Sequence, residues 1–235
     1  MSILHLDIET IPCQDPGYIA ECYAHIKPPG NFSKPESIDK WLTENREAEA
    51  DKMHRKTSFD GALGEIISIA WAVDDGDINV NYRSGNSEEE LLIEFFNGLE
   101  TLRDENGNRI VITTWAGHYI SGFDLRFLWQ RCVILGIKPT IKIPYDERPW
   151  DHHVFDTHTT WAGGSSRYTG VGSLDALAKA FGLLGKVGGL DGSKVYDYWL
   201  AGRIEEIAEY NKQDVVMCRE LYRRMTFSEV CDDDF

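Results

Sequence analysis

Long apolar runs are missing from this chain. None of its 235 residues lie in an uninterrupted apolar stretch of about 18 or more, so no membrane-spanning helix is expected. The opening MSILHLDIET has no basic segment, apolar core and small-residue cleavage site in succession, so no secretory signal is expected. Cysteine is sparse and scattered: Cys13, Cys22, Cys132, Cys218 and Cys231 form no CxxC pair. That argues against a zinc ribbon or a disulfide framework and for reduced thiols in a cytoplasm. Positive charge is also in short supply, with 24 Lys and Arg against 39 Asp and Glu, a net charge of −15. Such a surface repels polyanions, whereas proteins that track along DNA are usually basic. A nucleic-acid substrate would therefore have to be attracted locally, by cations held on clustered carboxylates. No internal repeat and no low-complexity tract interrupts the chain, and 42% hydrophobic with 27% charged residues is ordinary for a globular protein.

What is present reads as one mixed α/β domain over residues 1–235. SILHLDIET is a strand of β-branched and apolar residues. A Pro- and Gly-rich stretch follows, then ESIDKWLTENREAEADKMHRK, a polar helix expected to start near Ser37; together, about residues 12–60 read as an insertion. GEIISIAWAVDD is a buried strand, and INVNYR should pair with it across a turn. SEEELLIEFFNGLETL carries a capping box, Ser87 with Glu90, and one apolar stripe of Leu91, Leu92, Phe95, Phe96 and Leu99. RIVITTWAG is another strand. GFDLRFLWQRCVILG reads as a helix stopped by Gly136. HHVFDTHTT suggests a short strand, and GSLDALAKAFGL a helix from near Ser173. The long final helix buries Ile204, Ile207, Val215, Cys218 and Leu221, and residues 226–235 read as a frayed tail.

Four carboxylates stand out. Asp7 and Glu9 are two apart on the first strand, so both face one way, and their mutual repulsion vanishes if they share a hard divalent cation. Asp124 opens a helix after a buried strand, a place where the helix dipole alone favours an acid. Asp214 lies one helical turn after Tyr210, so phenol and carboxylate share a face. Each feature alone has an ordinary explanation: an exposed polar strand face, the helix dipole, and a hydrogen-bonded pair on a helix surface. Together, LDIET, GFDLRFL and EYNKQDV resemble, in order and spacing, the three motifs of the DnaQ-like 3′–5′ exonucleases of the tyrosine-bearing DEDD group. The likeness is greatest to the group related to the proofreading domain of B-family DNA polymerases, and it extends through RCVILGIKP, VFDT and SLDALAKAFGL over nearly the whole chain.

The resemblance implies a ribonuclease-H-like fold: a five-stranded mixed sheet, strands 1 to 3 antiparallel, flanked by helices. It implies two Mg²⁺ or Mn²⁺ ions on Asp7, Glu9, Asp124 and Asp214, with Tyr210 orienting the attacking water rather than taking its proton. The expected substrate is a single-stranded DNA 3′ end, shortened by one nucleoside monophosphate at a time. Thr10, His118, Tyr119, Phe123 and Phe127 are the expected substrate contacts, the two phenylalanines by stacking on bases or, equally, as a core stripe. His118 is followed by Tyr119 where many relatives carry asparagine, a departure that bears on substrate geometry and leaves the carboxylates untouched, and Arg126 stands where proline is common. Asp156 is expected to support the site or the fold. His5 shares the face of Asp7, and the adjacent His152 and His153 would face opposite ways on a strand; all three read as ordinary polar residues. RNA is the alternative substrate, since the metal chemistry does not distinguish the sugars. A catalytically silent nucleic-acid-binding protein is the other alternative. The setting expected is the cytoplasm of a bacterium or a phage-infected cell, beside replication or repair proteins, with no membrane role.

Overall fold

A computed structural model describes residues 2–147, 151–164, 170, 172–183 and 189–228. Its frame is a five-stranded sheet in the order β3-β2-β1-β4-β5. The strands are β1 (Ser2–Ile11), β2 (Glu65–Val73), β3 (Asn79–Tyr82), β4 (Ile112–Gly117) and β5 (Val154–Asp156). β1 pairs antiparallel with β2, as β2 does with β3, while β4 lies parallel to β1 and β5 parallel to β4. This is the ribonuclease-H-like topology expected, with helices on both faces.

Alternation along β1 sorts its side chains. Leu4, Leu6 and Ile8 enter the main core, against α3 (Glu88–Thr101) and α4 (Asp124–Leu135). Leu91, Leu92, Phe95, Phe96 and Leu99 all lie in it, as their spacing predicts. Burying each such side chain stabilises by roughly 1.5–3 kcal/mol. His5, Asp7 and Glu9 take the opposite face, where α8 (Ile204–Met225) crosses the sheet. On that face β2 pairs Ala72, Ala70 and Ser68 with His5, Asp7 and Glu9. Val215 of α8 packs directly on Ala70 and Ala72. These small side chains let the helix come close to the strand.

The helix ends follow local chemistry. Ser87 and Glu90 form the reciprocal capping box on α3. Gly136 closes α4 with a left-handed φ of 68°. Ser173 caps α6 (Leu174–Ala180), and α7 (Val195–Leu200) packs beneath α8. The polar helix, α2 (Pro35–Arg55), begins near Ser37 as expected, at Pro35, because a proline at the first helical position presets φ, and the Ser37 hydroxyl donates back to the Lys34 carbonyl. The stretch before it holds a further helix, α1 (Pro16–Ala24), capped by Asp15, whose carboxylate accepts from the Gly17 N–H. α2 is also less solvated than its composition suggests. Buried His54 reaches the Cys13 carbonyl at 2.7 Å, and the Thr57 hydroxyl accepts from the Cys13 N–H at 2.8 Å, which pins the end of the segment between β1 and β2 to its beginning, just past β1. Of the expected tail, Thr226–Ser228 continue as a turn whose N–H groups reach Tyr222, Arg224 and Arg223, while residues 229–235 lie outside the described residues.

Candidate active site

The carboxylates of Asp7, Glu9 and Asp214 offer oxygens that all lie within 4.8 Å of one another. Two come from β1 and one from α8. Asp7 also accepts a 2.6 Å hydrogen bond from the Asn211 amide, whose carbonyl oxygen accepts from the Ser68 hydroxyl at 2.7 Å. Asn211 is wholly buried, one position after Tyr210 on the covered face of α8. It orients Asp7 and ties the helix to β1 and β2 at the same point. Between Glu9 and Thr10 the pairing of β1 with β2 slips by one residue of β2. Such a bulge re-aims side chains and here lies at the edge of the cluster.

Asp124 joins from a third direction. It opens α4, is nearly buried, and its Oδ1 accepts from the Ile8 N–H at 3.1 Å, between the two carboxylates of β1. Burial pushes its carboxyl from an ordinary 3.8 up to about 7, and the charges of Asp156 and Asp214 push the same way. In cation-free protein, between about pH 4 and pH 7, the folded chain therefore keeps a proton that the unfolded chain has lost, and stability falls as pH rises through that window. Asp124→Asn keeps an acceptor for Ile8 and removes the buried charge. In EDTA it should melt above wild type at pH 8, with the gap closing towards pH 5; equal gaps at both values would contradict the assignment.

Tyr210 is buried, and its hydroxyl is hydrogen-bonded to Asp214. Burial first, then the charges of Glu9, Asp214 and Asp7, raise it well above the usual phenol value, so it stays protonated at any physiological pH.

Around this cluster the remaining expected residues separate into contacts and props. Thr10 spends its hydroxyl on the Ser58 carbonyl at 2.7 Å. His118 bridges the Thr157 hydroxyl and the Gly172 carbonyl at 3.0 and 2.7 Å, so it fastens loops together. Tyr119 is 52% exposed, with a left-handed φ of 58° and its ring over Gly122. An asparagine would adopt that backbone at less cost than tyrosine does. Asp156 holds the loop there. It accepts from the N–H groups of Tyr119, Ser121, His158 and Thr159, so it caps α5 (Thr157–Trp161) and fixes the approach to Asp124. Phe123 is half-buried and sits just before α4, in a non-helical conformation. Phe127 is 0% exposed within the main core, so it has no face to offer a base: the stacking role expected for it is withdrawn. His5 is buried with its ring edge on Tyr222, and His152 and His153 are exposed, far from any shared ligand role.

Two participants escaped the reading of the sequence. Asn211 was visible only as a polar residue inside a buried helical stripe. Ser68 was one small residue in an apolar strand. Among the described residues no helix is long and apolar enough to cross a membrane.

Residues 59–230 match the model of a family described as a predicted 3′–5′ exonuclease related to the exonuclease domain of PolB. The match begins after β1, so Asp7 and Glu9 enter the site through geometry. No curated relative matches the chain. Among solved structures, the family B DNA polymerase of the hyperthermophilic archaeon Pyrobaculum calidifontis is similar in fold, with a TM-score of 0.59 at 16% identity. That likeness covers 96% of this chain and 24% of the polymerase, so the chain spans about a quarter of the protein it resembles. A sheet of this topology and a family match over most of the chain agree: the chain belongs to the predicted 3′–5′ exonucleases related to the exonuclease domain of PolB.

Proposed function

We propose that this chain is a divalent-metal-dependent exonuclease that removes nucleoside monophosphates from the 3′ end of single-stranded DNA. One observation carries the reading: three carboxylates from the first strand and the last helix converge within 4.8 Å, with Asp124 bonded to the strand between two of them. The donor set is all hard oxygen, and the Asn211 amide, the Ile8 N–H and the Tyr210 hydroxyl that donate to it are neutral. Such a cluster suits Mg²⁺ or Mn²⁺, and two ions would be held by Asp7, Glu9, Asp124 and Asp214. Bound there, they would supply positive charge against the phosphate and acidify a water.

The chain's own residues do the rest. Asn211 fixes the Asp7 carboxylate in place. Tyr210 donates to Asp214, which holds the phenol still, and its oxygen would accept from the attacking water. A water bonded in that way turns a lone pair towards the phosphorus. Because the phenol stays neutral, it orients the nucleophile and removes no proton. The acidic surface, with a net charge of −15, fits a substrate gripped only by a few terminal nucleotides.

The direct test is digestion of a 5′-labelled single-stranded oligodeoxynucleotide with Mg²⁺ or Mn²⁺. A ladder shortening from the 3′ end and abolished by EDTA is expected. A matched RNA cut faster would overturn the assignment to DNA. Tyr210→Phe should lower kcat by about 10²-fold with KM little changed. It should leave the Mn²⁺-induced rise in melting temperature intact, and an unchanged kcat would remove Tyr210 from the mechanism.

A further inference from the structure

Phe59 lies in the insertion, in a 3₁₀ turn, Lys56–Phe59, that ends it. Its side chain is 67% exposed, an unusual position for a large ring that two independent contacts hold still. The first is through the backbone. The carbonyl of Ser58, its neighbour, accepts from the Thr10 hydroxyl at 2.7 Å, and Thr10 follows Glu9. The second is through the ring, which meets Phe123 edge-on with centroids 6.2 Å apart, and Phe123 precedes Asp124. Phe123 in turn leans on buried Phe127 at 5.3 Å. Three rings thus step outward from the core to the surface, and the outermost ends beside both carboxylate-bearing segments. The turn is braced from below as well. Gly64 packs so tightly that an added Cβ would lie 2.6 Å from the Thr57 carbonyl oxygen, and Arg131 donates to the Gly61 carbonyl at 3.0 Å.

A rigid, exposed aromatic face at the rim of a phosphodiesterase site fits the flat face of a nucleobase. We infer that Phe59 stacks on a base at the 3′ end of the bound strand, so that the insertion serves as a binding element for single-stranded nucleic acid. The inference rests on the proposed function and deepens it. Base stacking tolerates any sequence, because every base has a π-face, and it does not depend on a net positive charge, which at −15 this chain does not carry. A paired terminal base is already stacked on its neighbour, so the same ring favours single-stranded or frayed ends.

The test compares two labelled single strands, one ending in ordinary 3′ nucleotides and one in abasic residues. Binding is followed by fluorescence anisotropy with Ca²⁺, which keeps the strands uncut. Phe59→Ala should weaken binding of the ordinary strand about tenfold, leave the abasic strand unchanged, and melt like wild type. Phe59→Trp should restore the ordinary strand. Equal weakening on both strands, no weakening on either, or no binding by wild type would each overturn the inference. Cutting by wild type in Mg²⁺ is scored separately. A protein that shows the base-dependent loss but never cuts refutes the hydrolytic reading and leaves the stacking in place, while one that cuts without that loss refutes the stacking alone.

Discussion

Asp7→Asn is expected to reduce Mg²⁺-dependent hydrolysis of a single-stranded oligodeoxynucleotide by about 10³-fold, the equivalent of several kcal/mol of charge stabilisation. The change is small in shape. An asparagine carbonyl can still accept from Asn211, which now reaches Asp7 at 2.6 Å, so the junction between α8 and β1 survives. What disappears is one negative charge among three converging carboxylates. Without divalent ions those charges repel, so the variant should melt at or above the wild-type temperature in EDTA. With Mg²⁺ or Mn²⁺ the wild type should gain stability by mass action, and the variant should gain far less. A variant that still cuts at the wild-type rate, or whose melting temperature rises with Mn²⁺ as the wild type's does, would falsify the assignment of Asp7.

The second large effect concerns stability. Glu88, in the first turn of α3, and Arg131, late in α4, form a bidentate ion pair at 2.9 and 2.6 Å, with both side chains under a tenth exposed. The pair is fully engaged. Glu88 also accepts from the Ile66 N–H of β2 at 2.8 Å, and Arg131 also donates to Gly61. Two helices, a strand and the loop behind Phe59 therefore meet at one ion pair. Arg131→Met leaves the carboxylate buried with its cation gone, and should cost roughly 3–5 kcal/mol in urea denaturation at pH 7. Adding Glu88→Gln to that variant should recover part of the loss, since the charge left without its partner is then removed. A single-variant loss under about 1 kcal/mol would mean that water solvates the pair.

Much of the site could be read from the sequence because its geometry is periodic. Alternation alone puts Asp7 and Glu9 on one face of β1, and helical spacing alone puts Tyr210 beside Asp214. At Phe123 and Phe127 the same periodicity left a core stripe and a stacking pair open, and the core reading holds for Phe127. They are four apart, but Phe123 caps α4 in a non-helical conformation while Phe127 points into the core. α1 was hidden by the prolines and glycines around it, although Asp15 before Pro16 is a start signal. Asn211 and Ser68 matter through a contact between residues 143 apart in sequence, which no local pattern encodes. The exposure of Phe59 is a property of the assembled turn, Lys56–Phe59.

The distance along the chain between Asn211 and Asp7 has a consequence of its own. These residues are 204 positions apart, and they touch. A chain emerging from a ribosome presents β1 before β2 and β4, and α8 only after all of them. Until then Asp7 and Glu9 stand on a sheet face without Tyr210, Asn211 or Asp214. On the proposed function, a nascent chain that has not yet reached α8 cannot cut nucleic acid, including the message that encodes it. The capacity to hydrolyse arrives only when the last helix closes on the first strand.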